Sequence, residues 1–117
     1  MGKLRYARTL CGTNGPICDL SLEKPEKIFD APLIVNLQDG VKSLLREGRS
    51  AFDFFDASLP RLRASILIGD EVGSGVVPLD PFERLWRDET GFLYQHLATH
   101  ADIVDRVWSG LPMRLKG

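Results

Sequence analysis

The 117-residue sequence is poor in cysteine. Cys11 and Cys18 are the only two, and their spacing matches neither a C-x-x-C motif nor half of a zinc site. Two cysteines in a chain of this size do not make a disulfide scaffold. The pattern predicts two reduced thiols in a cytoplasmic protein.

The sequence also lacks an excess of charge of either sign and a long hydrophobic run. Its formal net charge is −1, which argues against nucleic acid as a partner. No apolar segment approaches the length of a membrane span, and the first ten residues contain no signal-peptide hydrophobic region. With 44% hydrophobic and 26% charged residues, the composition predicts a soluble globular protein in which residues 1–117 form a single domain.

Short apolar runs alternate with helical patterns along the chain. "APLIVNL" at 31–37 and "ASILIGD" at 64–70 predict buried strands, and "DIVDRVWSG" at 102–110 predicts a third. A very short strand is predicted at 17–19. Helices are predicted at 2–10, 39–47 and 50–59 and, as the longest, after Asp80. Strands separated by helices predict an α/β domain of three layers built on a parallel sheet.

Several residues mark the ends of the predicted helices. Ser50 and Asp80 are suitable N-caps, and Pro81 suits the first helical position. Gly48 stands where a glycine often ends a helix. Gly91 interrupts the apolar stripe of the longest helix, and we expect it to allow close approach of a neighbouring backbone.

The junction "GDEVGSGVVP" at 69–78 combines charge and flexible backbone directly after a predicted strand. In open parallel sheets, ligands bind beyond the carboxyl ends of the strands. Gly73 and Gly75 would let the backbone approach a ligand closely or adopt a positive φ. The segment has two interpretations. It is either a ligand-binding loop that carries Asp70 and Glu71, or only a connection from strand to helix, since Gly, Pro and Asp are common in any turn.

Three stretches, in this order, resemble the adenosylcobinamide kinase / adenosylcobinamide-phosphate guanylyltransferase family. "DEVGSGVVP" at 70–78 is similar to the family's Glu-Val-Gly-x-Gly-Val-Val-Pro segment. "RDETGFLYQHLATHAD" at 87–102 resembles its Arg-Asp-x-x-Gly-x-x-Asn-Gln-x-Leu-Ala-x-x-Ala-Asp stretch. "VWSGLPMRLK" at 107–116 resembles its closing Val-x-x-Gly-Leu-Pro-x-x-Leu-Lys. The likeness covers about the last fifty residues.

The resemblance implies a P-loop NTPase-like (RecA-like) fold and an enzyme of cobalamin biosynthesis. It implies GTP or ATP with Mg²⁺, and a cobinamide-type corrinoid as the acceptor. The family phosphorylates the aminopropanol hydroxyl of adenosylcobinamide and then transfers GMP onto that phosphate through a histidine. The family's oligomeric assembly makes a homo-oligomer plausible.

The resemblance also suggests roles for individual residues. Gly2 and Lys3 match the Gly-Lys of the family's P-loop, which places Lys3 on the phosphates. Asp70, Gly73 and Gly75 are the further nucleotide-binding candidates. Glu71 is the catalytic candidate, either orienting Mg²⁺ or accepting a proton from the substrate hydroxyl. No residue is predicted as a dedicated metal ligand.

The sequence departs from the family pattern at several points. The family's first strand and most of its P-loop have no counterpart before Met1, and a wrongly assigned start codon is our hypothesis for this. Leu4 stands where a P-loop hydroxyl binds Mg²⁺. Asn36 stands near the position of the family's middle-strand acid. The family's central histidine segment has no counterpart either, so the kinase step is favoured over guanylyl transfer. Together these departures favour the alternative, a non-catalytic nucleotide- or corrinoid-binding relative or regulatory subunit.

The two histidines, His96 and His100, both lie in the longest predicted helix. Their spacing of four puts them on one face, as in some zinc sites. "HLATH" lacks the glutamate of a metalloprotease helix and no third ligand is evident in the sequence, so the prediction is an ordinary solvated face.

Overall fold

A computed structural model describes residues 3–11, 16–72, 80–108 and 111–117, and shows a mixed α/β fold. Two 3-10 helices, Pro25–Asp30 and Leu59–Arg61, lie between the longer elements. The α-helices are α1 (Lys3–Cys11), α2 (Leu37–Arg46), α3 (Ala51–Ser58) and α4 (Pro81–His100). The strands are β1 (Ile17–Asp19), β2 (Leu33–Val35), β3 (Ile66–Leu67), β4 (Val104–Trp108) and β5 (Leu111–Lys116).

Strands β1, β2 and β3 form a parallel three-stranded sheet in that order, which confirms the predicted parallel arrangement for these strands. The central strand β2 is buried along its whole length. A parallel strand that is covered on both faces typically has a continuous apolar sequence, and β2 has the sequence Leu33-Ile34-Val35. The strands are shorter than the apolar runs that predicted them, because α2 begins at Leu37 and the β3 ladder covers only Ile66–Leu67.

Helices α2, α3 and α4 bury the core against this sheet. Their buried apolar side chains include Val41 and Leu44 of α2, Ala51 and Phe55 of α3, and Leu93 and Leu97 of α4. These side chains recur at helical spacing, so each helix presents one apolar stripe to the core.

The predicted helix ends are confirmed where the structure records them. The Ser50 side chain accepts a hydrogen bond from the Asp53 amide at 3.1 Å, and the Asp80 side chain accepts one from the Phe82 amide at 2.7 Å. Gly48 has a φ of 71°, the left-handed conformation that glycine adopts after a helix. The two side chains pair backbone amides that the first turn of a helix leaves without a partner, and the conformation of Gly48 turns the chain out of α2.

The prediction that 102–110 adds a strand to the parallel sheet is wrong. A strand does form there, β4, but it pairs antiparallel with β5 in a separate two-stranded sheet. Only two residues of sequence separate the two strands. Pairing such close neighbours costs little chain entropy, whereas joining the parallel sheet requires a crossover connection.

The expectation for Gly91 is also wrong. Among the described residues, a Cβ atom added at Gly91 would meet no atom within 4 Å, so no described backbone segment approaches it. Close approach occurs instead at Gly40 of α2, where an added Cβ would lie 2.6 Å from Cδ1 of Leu20. In addition, no helix within the described ranges combines the length and apolarity needed to cross a membrane.

Candidate functional site

The carboxyl ends of the three parallel strands meet at one edge of the sheet, and polar side chains collect there. Asp19 ends β1, Asn36 follows β2, and Asp70 lies three residues after β3. Backbone hydrogen bonds continue past the strand ends, with the Leu37 amide donating to the Ile68 carbonyl at 3.1 Å. This group of residues at the strand ends is called the carboxyl edge below.

Asp70 is the residue on which several elements of the fold converge. Its carboxylate Oδ1 accepts a hydrogen bond from Nζ of Lys3 in α1 at 2.7 Å. Its amide donates to Oε1 of Gln38 in α2 at 3.0 Å, and its carbonyl accepts from the hydroxyl of Tyr94 in α4 at 2.7 Å. Three helices therefore hold the start of the 70–78 segment at the end of β3. Lys3 and Asp70, both predicted from sequence, are brought into direct contact.

Glu71, the predicted catalytic residue, lies beside this contact and faces solvent. Its side chain is 65% exposed, and its nearest recorded charge is Nη2 of Arg106 in β4 at 3.6 Å. Such an exposed pair is worth little in free energy and is easily exchanged for another partner. The Glu71 carboxylate is therefore accessible to an incoming ligand.

Tyr94 is a component of the site that sequence reasoning missed. Burial, followed by the negative charges of Asp70, Asp39 and Glu71, raises the pKa of the Tyr94 phenol far above its usual value. The phenol therefore keeps its proton, and its hydroxyl donates a hydrogen bond to the Asp70 carbonyl. A Cβ atom at Gly69 would collide with the Tyr94 hydroxyl, so glycine at 69 is what allows this contact. Tyr94 stands where the family motif reads asparagine, which was the signal available in the sequence.

A second polar cluster links the ends of β1 and β2. Asn36 adopts the left-handed conformation with φ 60° and ψ 49°, which asparagine tolerates better than most residues. Its amide donates to Oδ1 of Asp19 at 2.8 Å, and Gln38 donates to its carbonyl oxygen at 3.4 Å. Non-glycine residues held in this conformation often occur at functional sites.

The pKa values of Asp19, in this cluster, and of Asp39, in the first turn of α2, are shifted in opposite directions. Burial pushes the pKa of Asp19 upward, but hydrogen bonds from Ser21 and Asn36 together hold it below its usual value. Burial raises the pKa of Asp39, the negative charges of Asp19 and Asp70 raise it further, and Lys42 counteracts this in part. Asp39 is therefore a carboxylate whose negative charge is not fully balanced by its protein neighbours.

A shallow pocket of about 150 Å³ adjoins this cluster. Its lining joins the carboxylate of Asp39 to two cationic side chains, Lys42 and Arg46. The volume is below the roughly 300 Å³ at which small-molecule sites begin, so the pocket can hold part of a ligand at most. Three other predicted site residues, Gly2, Gly73 and Gly75, lie outside the described residues.

Comparison with known proteins identifies the family. A sequence profile described as "Cobinamide kinase / cobinamide phosphate guanyltransferase" matches residues 37–115, more than half of the chain. The chain belongs to this family. The match covers Gln38, Asp39, Asp70, Glu71 and Tyr94, whereas Lys3, Asp19 and Asn36 precede it.

A relative with a curated description gives the same assignment. The chain is 46% identical over 52 residues to the "Bifunctional adenosylcobalamin biosynthesis protein CobP" of Pseudomonas aeruginosa. The aligned segment covers 44% of this chain and 30% of that protein. The cobinamide kinase / guanyltransferase family thus accounts for the motif-bearing part of the chain, and the chain spans about a third of the relative's length.

Proposed function

We propose that the carboxyl edge binds the phosphates of GTP or ATP and serves the cobinamide kinase step of cobalamin biosynthesis. The chain would have the P-loop NTPase-like fold that the family resemblance implies. The observation that carries the proposal is the 2.7 Å contact between Lys3 and Asp70. It joins the residue that matches the P-loop lysine to Asp70, the residue directly before the stretch that resembles the family's Glu-Val-Gly, although 67 residues separate Lys3 and Asp70 in sequence.

In this proposal Lys3 carries the phosphate-binding charge. It is the first residue of α1, so its ammonium group lies at the positively polarised end of a helix. An incoming phosphate would compete with the Asp70 carboxylate for this ammonium group. Phosphoryl transfer requires mainly positioning and neutralisation of charge, which a lysine in this location supplies.

Glu71 would act on the acceptor. Its exposed carboxylate would accept the proton of the corrinoid's hydroxyl as that oxygen attacks the terminal phosphorus, while the bond from this phosphorus to its bridging oxygen breaks and the nucleoside diphosphate leaves. The alternative role for Glu71 is to orient a bound Mg²⁺. Tyr94 positions the segment for either role, because its hydroxyl fixes the carbonyl of the preceding residue.

The donor chemistry of the carboxyl edge fits Mg²⁺. This ion prefers oxygen ligands and is commonly bound by one or two carboxylates together with substrate phosphates. The raised pKa of Asp39 reflects burial and repulsion from Asp19 and Asp70, which a bound cation would relieve. Asp39 and Asp70 are the residues that would hold it, and the ion would neutralise charge on the phosphates.

The guanylyl-transfer step has less support. A guanylylated histidine requires an imidazole beside the phosphates. The chain's two histidines lie in α4, where His96 contacts Asp56 and Phe52 of α3. Within the described residues, these contacts join His96 to α3 and not to the carboxyl edge.

A non-catalytic nucleotide- or corrinoid-binding role is the second candidate. It is favoured by Asn36, which stands near the position of the family's middle-strand acid. Leu4 at the hydroxyl position of the P-loop points the same way. Such a protein would bind nucleotide without transferring its phosphate.

The test combines calorimetric titration with Mg²⁺-ATP and Mg²⁺-GTP and a phosphorylation assay on adenosylcobinamide followed by mass spectrometry. Lys3→Ala should weaken nucleotide binding by about tenfold or more, as loss of a charge-assisted contact does. Glu71→Gln should bind nucleotide but transfer phosphate about 10²- to 10⁴-fold more slowly. Glu47→Gln, which changes an exposed acid at the end of α2, is the matched control and should alter neither property.

The outcomes separate the two candidates. Binding that depends on Lys3, together with product formation that depends on Glu71, supports the kinase. Binding without product supports the non-catalytic relative. If neither nucleotide binds the wild-type chain, the kinase proposal and the nucleotide-binding form of the second candidate are both wrong for this chain.

A further inference from the structure

Three side chains on the outer surface of α3 and α4 form a cluster that the proposed kinase function does not use. Asp56 of α3 and His96 and His100 of α4 each offer one ligand atom, and these atoms all lie within 4.8 Å of one another. The sequence shows the histidine pair but not its third partner, because Asp56 is forty residues away from His96. Packing of α3 against α4 brings them together.

The cluster has one fixed member and two accessible ones. His96 is 20% exposed, its ring lies 4.4 Å from that of Phe52 between centroids, and its Nε2 lies 2.7 Å from Oδ1 of Asp56. Asp56 and His100 are exposed, and the His100 ring lies 4.7 Å from the His96 ring. One ligand is thus positioned by packing, while the other two can rotate towards an ion arriving from solvent.

We propose that Asp56, His96 and His100 bind a borderline divalent cation of the Zn²⁺ type. Two imidazole nitrogens and one carboxylate oxygen are ligands that Zn²⁺ accepts, at bond lengths of about 2.0–2.2 Å. In a tetrahedral site, bonds of about 2.0 Å place neighbouring ligand atoms roughly 3.3 Å apart. Rotation of the exposed Asp56 and His100 side chains closes the remaining gap. Water or an external ligand fills the fourth position.

The site selects a different ion from the carboxyl edge. Imidazole favours Zn²⁺, Cu²⁺ or Ni²⁺, whereas Mg²⁺ prefers oxygen ligands alone. The chain would therefore hold two metal sites with different ligand atoms: one with imidazole nitrogens between α3 and α4, and one with oxygen ligands at the strand ends. An ion in the first site bridges two helices that otherwise meet through side-chain packing, and so stabilises the folded state by mass action.

The test uses the tag-free 117-residue protein titrated with Zn²⁺, alone and with excess Mg²⁺. Binding should saturate at one ion per chain and persist when Mg²⁺ is present. Residues that only hydrogen-bond to a metal ligand are already worth about 10- to 100-fold in metal affinity, so removing a ligand itself by Asp56→Asn or His100→Ala should cost at least about tenfold. Asp53→Asn, one turn earlier on the exposed surface of α3, is the matched control and should bind as the wild type does.

Two further readouts identify the ligands. The chain has only two histidines, so nitrogen NMR of the imidazole rings gives two sets of signals, and both should shift on addition of Zn²⁺. Co²⁺ in place of Zn²⁺ should show no thiolate charge-transfer absorption, which excludes binding at Cys11 or Cys18. Zn²⁺ should also raise the melting temperature of the wild type and of Asp53→Asn, but not that of Asp56→Asn.

The proposal is overturned if Zn²⁺ does not bind saturably, if binding survives in both ligand variants, or if the imidazole signals do not move. Circular dichroism of each variant checks that it folds, and substitution of the two exposed ligands should leave the spectrum unchanged. Nucleotide binding is an independent measurement, so failure of this proposal leaves the kinase proposal as it stands.

Discussion

The parallel sheet and the hairpin of β4 and β5 are both built from short, apolar-rich strands, yet they bury those strands very differently. Leu33 and Ile34 of β2 are completely inaccessible. Every residue of β5 is exposed, and Leu111, Met113 and Leu115 are between 59% and 72% accessible. Apolar side chains therefore form part of the buried core in the parallel sheet, whereas in the hairpin they lie on an exposed surface.

Directional polar contacts hold the hairpin in place. The Asp105 carboxylate accepts hydrogen bonds from the Tyr6 hydroxyl at 2.7 Å and from Nε of Arg114 at 2.6 Å. Nζ of Lys116 donates to the carbonyls of Ala98 and Thr99, both at 3.0 Å, near the carboxyl end of α4. Buried area stabilises the sheet, whereas a few charged and hydrogen-bonded groups fix the hairpin.

The largest expected contrast is between one side chain from each region. Phe55→Ala removes a fully buried ring from the core and should lower the free energy of unfolding by about 3–5 kcal/mol. Met113→Ala, at a position 60% exposed, should change it by less than about 0.5 kcal/mol. Urea denaturation of both variants gives the comparison. A cost for Met113→Ala as large as that for Phe55→Ala would mean that the hairpin is covered in solution.

A smaller effect is expected at the polar anchor of the hairpin. Asp105→Asn should cost about 1 kcal/mol at neutral pH, because Arg114 is 43% exposed and solvent screens the pair. Hydrogen bonds from Tyr6 and then Arg114 hold the pKa of Asp105 below its usual value of 3.8. The charged form is thus favoured in the folded state, so the stabilisation is present above pH 3.8 and is lost as the pH falls through the lower, folded-state pKa.

Denaturation of the wild type and Asp105→Asn across this pH range measures the effect. The difference between them should be constant near neutral pH and should shrink below pH 3.8. Asp102→Asn, at an exposed position just before the hairpin, is the control and should leave the free energy of unfolding at neutral pH unchanged. A gap between wild type and Asp105→Asn that widens on acidification would contradict the assigned contacts.

The smallest effect, and the only stabilising one, is expected on the solvent side of α4. In the part of the chain that the structure describes, no atom lies near the methyl group added by Gly91→Ala, which should raise the free energy of unfolding by about 0.5–1 kcal/mol through helix propensity. The matched control is Gly40→Ala in α2, where the added methyl would press on Leu20 and should remove that gain. Thermal melts of the two variants compare an open helix face with a packed one. Destabilisation by Gly91→Ala would show that the exposed face of α4 is covered.

Local features of the fold could be predicted from the sequence. Ser50, Asp80 and Gly48 act on backbone groups within a few residues of themselves, so their roles depend little on the rest of the chain. The destination of 102–110 could not be predicted in the same way. An apolar strand pattern states that a segment is extended and does not state which neighbour it pairs with.

The residues of the candidate site also differ in whether the sequence alone could identify them. Glu71, Lys3 and Asp70 could be proposed because they lie in motifs that resemble the family's. Tyr94 and Gln38 could not, because their roles are hydrogen bonds to Asp70 from helices distant in sequence. Asp56 was missed as the third member of the histidine cluster for the same reason.

The family, the helix ends and four of the five described strands could be inferred from local spacing and from motifs shared with relatives, whereas β5 was not predicted. The contacts of Lys3 with Asp70, of Tyr94 with the segment at Gly69, and of Asp56 with the two histidines exist only in the folded chain. The physical reason is that hydrogen bonds and ion pairs act over about 3 Å, so a contact exists only after packing has brought distant segments together.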